Sequence, residues 1–178
     1  MKRIFICIAL VLATFGVMAQ TKTSGIRNEV TKIEGDDNGK EFSIFSYTSK
    51  DIPFGYWLGL GEVNNNLGFP FVFEGVTETC IYLGSNSTEV VATLDSLLNC
   101  FSLGTDTREF PAMMAVGRPL KHKGMAVCSV ERRFIFKRLC IRFTHQGYTT
   151  ESFLTKSEVK YLRRGFLFNE QKEQNTGM

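Results

Sequence analysis

Two stretches of this chain space their apolar residues for a helix, and most of the other apolar residues fall in short runs suited to strands. That imbalance limits the fold to a sheet with two helices packed on it. In 87–101, Val90, Val91, Leu94, Leu97, Leu98 and Phe101 recur at helical period and form one broad stripe. Asn86 is placed to cap this helix, with Glu89 three residues on. The second helix, 156–167, opens on a capping box made by Thr155 and Glu158. Leu154 and Val159 can staple its start, and Val159, Leu162 and Phe166 form its buried stripe. Gly165 reads as the residue where it frays or stops.

The β-rich runs are 42–48, 54–62, 69–74, 79–83, 113–116, 125–130 and 133–144. Asn64, Asn65 and Asn66 suit a hairpin connection between the second and third, and 131–133 a tight one between the last two. Residues 20–40 form a polar lead with a short edge strand at 30–33 and turn chemistry at 36–39. The expected organisation is one α+β domain over 41–168, with a mainly antiparallel sheet and a disordered polar tail at 169–178. The order is strands, helix, strands, helix. It suggests two meanders each closed by a helix, although the halves share no residue-level repeat.

Compartment follows from the first residues. Lys2 and Arg3 precede the apolar run 4–15, and small Ala19 follows with Val17 two positions before it. Charge, apolar run and small-residue cleavage site is the layout of a secretory signal peptide over 1–19. The run is shorter than the roughly 20 apolar residues that span a bilayer. A secreted or periplasmic location is therefore expected, with no transmembrane segment left after the leader is removed. Cleavage leaves 159 of the 178 residues; Lys plus Arg falls from 21 to 19 while Asp plus Glu stays at 18, so the net charge drops from +3 to +1. A near-neutral chain offers no electrostatic argument for nucleic acid or an anionic membrane.

Four cysteines remain after the leader: Cys80, Cys100, Cys128 and Cys140. In an exported chain an even count permits two disulfides, and four buried thiols are the alternative. Cys100 lies near the edge of its helical stripe, so it is expected to pair with Cys80 or with one of the two strand cysteines. Their spacing fits no zinc pattern and implies no metal. No catalytic, nucleotide or cofactor motif is present. Gly59-Leu60-Gly61 lacks the third glycine and the helix of a dinucleotide loop. The two histidines are His122 and His145; a nucleophile pair would set Cys128 or Cys140 beside His145. Arg132, Arg133, Lys137, Arg138 and Arg142, and again Lys160, Arg163 and Arg164, are basic clusters that read as solvated faces.

The sole tryptophan marks the candidate site. In the strand 54–62, Phe54, Tyr56, Leu58 and Leu60 alternate with Gly55, Trp57, Gly59 and Gly61. Strand side chains alternate faces, so the even set is expected in the core. The odd face sets one indole beside three glycines, and glycine in a strand often marks close approach by a ligand or another backbone. A shallow platform for a sugar ring or a partner's side chain is the functional reading. A covered Trp57 in the core is the structural one.

Three functional classes stay open. The first is an exported non-enzymatic binding or accessory protein of the cell envelope or exterior, with a small molecule, a glycan or an envelope protein as partner. The second is a small hydrolase using carboxylates or the Cys–His pair. The third is an assembly or adhesion protein that adds strands to a partner. Compartment has a direct check: protein recovered from its native host should begin at Gln20 by intact mass. A mass that retains 1–19 removes the export reading.

Overall fold

A computed structural model describes residues 25–35, 40–63, 77–102, 106–116, 120–133, 135–145 and 147–176. The expected leader at 1–19, the turn at 36–39, the connection at 64–66 and the strand at 69–74 lie outside these residues.

The elements run β1 (Ile26–Glu34), β2 (Glu41–Thr48), β3 (Gly55–Val63), β4 (Thr77–Gly84), α1 (Ser87–Cys100), β5 (Arg108–Val116), β6 (Leu120–Arg133), β7 (Phe136–His145), β8 (Tyr148–Leu154) and α2 (Lys156–Thr176). The strands form one eight-stranded sheet in sequential order, each neighbour antiparallel. This is the α+β fold with a mainly antiparallel sheet that the periodicities predict, and it is indeed two four-strand meanders, each followed by a helix.

Both helices cover the same face. α1 packs on β4 and β6, α2 on β1 and β2, and the helices touch each other. Val90, Leu94 and Leu97 of α1 and Val159, Leu162 and Phe166 of α2 are fully buried. They share one cluster with Ile44, Leu58, Ile81, Leu139 and Phe143. Ser87 at the start of α1 donates to Glu170 late in α2, and Asp95 takes a two-pronged bond from Arg163 at 2.7 and 3.1 Å. The helices are therefore antiparallel.

The sheet curls around this core. In a flat sheet, β3 and β8 would stand about 24 Å apart, five spacings of nearly 5 Å. Instead the Ser152 hydroxyl donates to the carbonyl of Leu60 at 3.1 Å, and the Thr79 and Thr150 hydroxyls meet at 2.6 Å. The helix-bearing face is thus concave.

The helix starts follow the capping chemistry. Glu89 N–H donates to Asn86 Oδ1 at 3.0 Å. Glu158 N–H donates to Thr155 Oγ1 at 3.1 Å, and Thr155 N–H returns a bond to Glu158 Oε2 at 2.5 Å. Four other expectations change. α2 does not stop at Gly165 but continues to Thr176, taking in most of the expected disordered tail. Gly165 is there because a β-carbon would meet the Thr31 side chain, so glycine lets α2 approach β1. The following residues are good helix formers, and Asn169 donates to the Val30 carbonyl at 2.5 Å. The polar lead contributes all of β1, whose alternation is blurred by a register shift between Glu29 and Thr31. β6 is one long strand, and its connection to β7 falls beyond Arg133 rather than at 131–133. β8, Tyr148–Leu154, is a strand in a stretch to which the periodicities assign no element.

Core packing sets a test. Phe166→Ala should lower the unfolding free energy by about 3–5 kcal/mol, through lost transfer energy and the cavity left behind. Phe168→Ala, at a side chain 68% exposed, should change it by less than about 0.5 kcal/mol. Urea denaturation midpoints with unchanged slopes check both.

Candidate functional site

The face of β2–β4 turned away from the helices carries the residues singled out around Trp57. Register places Phe45, Trp57 and Tyr82 side by side across β2, β3 and β4. Trp57 and Tyr82 meet edge to face, with ring centroids 5.0 Å apart. Phe45, Tyr47, Trp57, Cys80, Met113 and Leu120 form a second buried cluster, with Ile52 and Tyr82 packed against it. Cross-strand aromatic rows of this kind stabilise a sheet beyond the area they bury.

Trp57 is only 5% exposed, so the indole is not a surface platform. The glycines beside it do mark close approaches, but by the chain's own groups. A β-carbon on Gly55 would meet the Tyr82 ring, and one on Gly59 the Glu78 carboxylate and the Phe45 ring. Gly61 has φ +77 and lies against the Glu41 backbone, within the register shift between Gly59 and Glu62. Three of the four even positions behave as predicted, Leu58 and Leu60 buried on the helix side and Tyr56 partly buried there, but Phe54 precedes the strand and is 50% exposed.

The space above Gly59 is crossed by an ion pair that no local pattern announces. Arg27 on β1 donates to both carboxylate oxygens of Glu78 on β4, at 2.7 and 3.2 Å. Its guanidinium also lies 3.5 Å from the centre of the Phe45 ring and 3.5 Å from Ser43 Oγ. Burial disfavours the Arg27 charge, but the bond and the negative charge of Glu78 outweigh it and raise its pKa. The pair thus braces four strands over an aromatic floor. Within that floor, Trp57 Nε1 is buried and has no hydrogen-bond partner among the described residues.

The cysteines are four free, buried thiols, so the expected Cys100 disulfide is not formed. Alternation explains much of this. Cys80 and Cys140 lie on the convex face, Cys80 in the aromatic cluster and Cys140 beside Glu131 and Arg142. Cys100 and Cys128 lie in the helix-side core. Cys140 is pushed up to about 11, chiefly by burial, and Cys80, Cys100 and Cys128 are also raised by burial.

The Cys–His pair is not assembled. Cys140 and His145 sit an odd number of residues apart on β7 and point to opposite faces. Cys128 is opposite Ile141, about 13 Å along the strand from His145. His145 instead stacks on Phe143, and the side chain of His122 lies outside the described residues. Arg142 pairs with Glu151 at 2.7 Å and Glu131 at 3.5 Å, which accounts for the mixed face of β7. Among the described residues, no three His, Cys, Asp or Glu side chains group as metal ligands, and no helix is long and apolar enough to cross a membrane. Comparison with protein-family models, curated proteins and solved structures gave no match.

The brace can be tested by a mutant cycle. Arg27→Met leaves the Glu78 carboxylate buried without its cation. The loss should be about 2–3 kcal/mol, less than for a fully buried pair because the Arg27 side chain is 27% exposed. Adding Glu78→Gln should restore at least half of it. Additive losses in chemical denaturation would show that the two groups do not act together.

Proposed function

We propose that this chain is an exported, non-enzymatic binding or accessory protein of the cell envelope or exterior, and that its ligand engages the convex aromatic row. The observation that carries the reading is the buried Trp57 Nε1 with no partner among the described residues. A buried donor left unpaired costs about 1–3 kcal/mol, and each such group in a folded protein asks for an explanation. An acceptor oxygen on a ligand would satisfy it.

The surroundings define the chemistry that fits. Phe45 and Met113 are apolar, Tyr82 adds an aromatic ring with a hydroxyl, and the nearby Arg27–Glu78 pair offers charged hydrogen-bonding groups. A small molecule with a flat apolar face and an acceptor oxygen suits this environment; a sugar ring is one such group. Because the indole is covered, the ligand must displace groups that now pack on it. Slow association is therefore expected.

The test follows tryptophan fluorescence while neutral oligosaccharides, envelope glycan fragments and the dye 8-anilinonaphthalene-1-sulfonate are titrated in. Trp57→Tyr and Trp57→Phe keep an aromatic ring and remove the indole N–H, and binding by these variants is followed by calorimetry. Affinity should fall about tenfold, the equivalent of one hydrogen bond of roughly 1.4 kcal/mol. Both variants should stay folded, with the cavity left by the smaller ring lowering stability and the loss of the buried unpaired donor offsetting part of that in Trp57→Phe. Unchanged affinity in the folded variants, or no response to any probe, removes this reading.

A further inference from the structure

The hairpin of β6 and β7 overhangs the core. Leu139, opposite Val130, is fully buried, and the ladder then continues through three more pairs to Arg133 and Phe136. At about 3.4 Å per residue, the overhang is roughly 10 Å. At its end Ile135 is 83% exposed and Phe136 is 61% exposed. Just behind them Arg132 and Lys137 face each other in register, both exposed. The sequence 132–138 is Arg-Arg-Phe-Ile-Phe-Lys-Arg, without an acidic residue.

Two local liabilities thus coincide. Like charges directly opposite one another destabilise an antiparallel pair. Large apolar side chains held in water lose the free energy of burial. A surface that is apolar within and anionic at its boundary removes both at once. The +1 net charge of the processed chain hides this concentration, because apart from Glu131, which is opposite Arg138 and bonds Arg142, the balancing carboxylates lie elsewhere.

We infer that the β6–β7 tip docks the protein on an anionic phospholipid bilayer. Ile135 and Phe136 enter the boundary between headgroups and acyl chains, and Arg132 and Lys137 lie at the phosphates. The roughly 10 Å overhang matches the depth at which peripheral segments bury their apolar face. Basic side chains near the surface add attraction that salt screens. The attachment is peripheral, and it is independent of the Trp57 reading, which concerns other strands.

The experiment is co-sedimentation of the processed chain with vesicles of mixed phosphatidylglycerol and phosphatidylcholine, against pure phosphatidylcholine. The chain should partition onto the anionic vesicles and be released by high salt. Ile135→Ser with Phe136→Ser should lower the partition coefficient at least about tenfold, and Arg132→Gln with Lys137→Gln about thirtyfold at low salt. Neither pair should lower the thermal midpoint, because these side chains are exposed, and the Gln pair should raise it slightly by removing like charges across the ladder. Lys160→Gln with Arg164→Gln, on the exposed side of α2, should leave binding unchanged. The inference is overturned if the wild-type chain stays in solution with anionic vesicles, as it would if the tip served an acidic protein surface instead. It is equally overturned if the tip substitutions leave vesicle binding intact or the α2 pair abolishes it.

Discussion

Eight strands in sequential order make one continuous face that must leave water, and the rest of the structure answers to that constraint. Two helices of this size cannot cover a flat sheet of eight strands. Curling brings β3 and β8 together, with the Ser152–Leu60 and Thr79–Thr150 bonds made inside the curl. The concave side then narrows to what α1 and α2 can fill. Their antiparallel contact is fixed by charged and polar pairs, Arg163 with Asp95 and Glu170 with Ser87, and Glu170 also ties α2 to Tyr56 on β3. The fully buried stripes beneath supply the free energy, and the pairs set the alignment.

The convex face answers a different problem. An antiparallel sheet with helices on one side commonly leaves its other face polar. Here β2, β3 and β4 carry Phe45, Trp57 and Tyr82 in a row, and the Arg27–Glu78 pair lies against Phe45. A buried ion pair is a weak source of net stability but a strong constraint on geometry. Gly59 makes the arrangement sterically available, because any side chain there would displace the Glu78 carboxylate. The same packing leaves the indole N–H without a hydrogen-bond partner among the described residues.

Charge shows how local the relevant quantities are. Averaged over the chain it is nearly balanced, which speaks against electrostatic partners in general. Resolved by position, basic residues gather at the β6–β7 turn around exposed Ile135 and Phe136, while Arg142 on the same hairpin is neutralised by Glu131 and Glu151. One strand thus carries both a satisfied cation and exposed ones, and only the latter can take up an external anion.

The sequence by itself determined the element types wherever a period decided them. The stripe from Val90 to Phe101 could only be a helix face, Thr155 and Glu158 announced the start of the next, and alternation in 42–48 and 54–62 set which residues share a face. Those signals are local, carried by neighbours within a few residues. What the tertiary structure alone decided depends on residues far along the chain. β8 was illegible because Thr150 and Ser152 are polar for partners on β4 and β3 that only the curl supplies. Gly165 reads as a helix end until Thr31, on a strand laid down long before it, explains the missing side chain. Trp57 and its glycines left a platform open beside the core reading that the size of the indole favours, because alternation assigns a face but not its cover. That cover includes Tyr82, and Arg27 with Glu78 lies over the neighbouring Phe45. Arg27 and Glu78 stand 51 residues apart, and they meet only when four strands have paired.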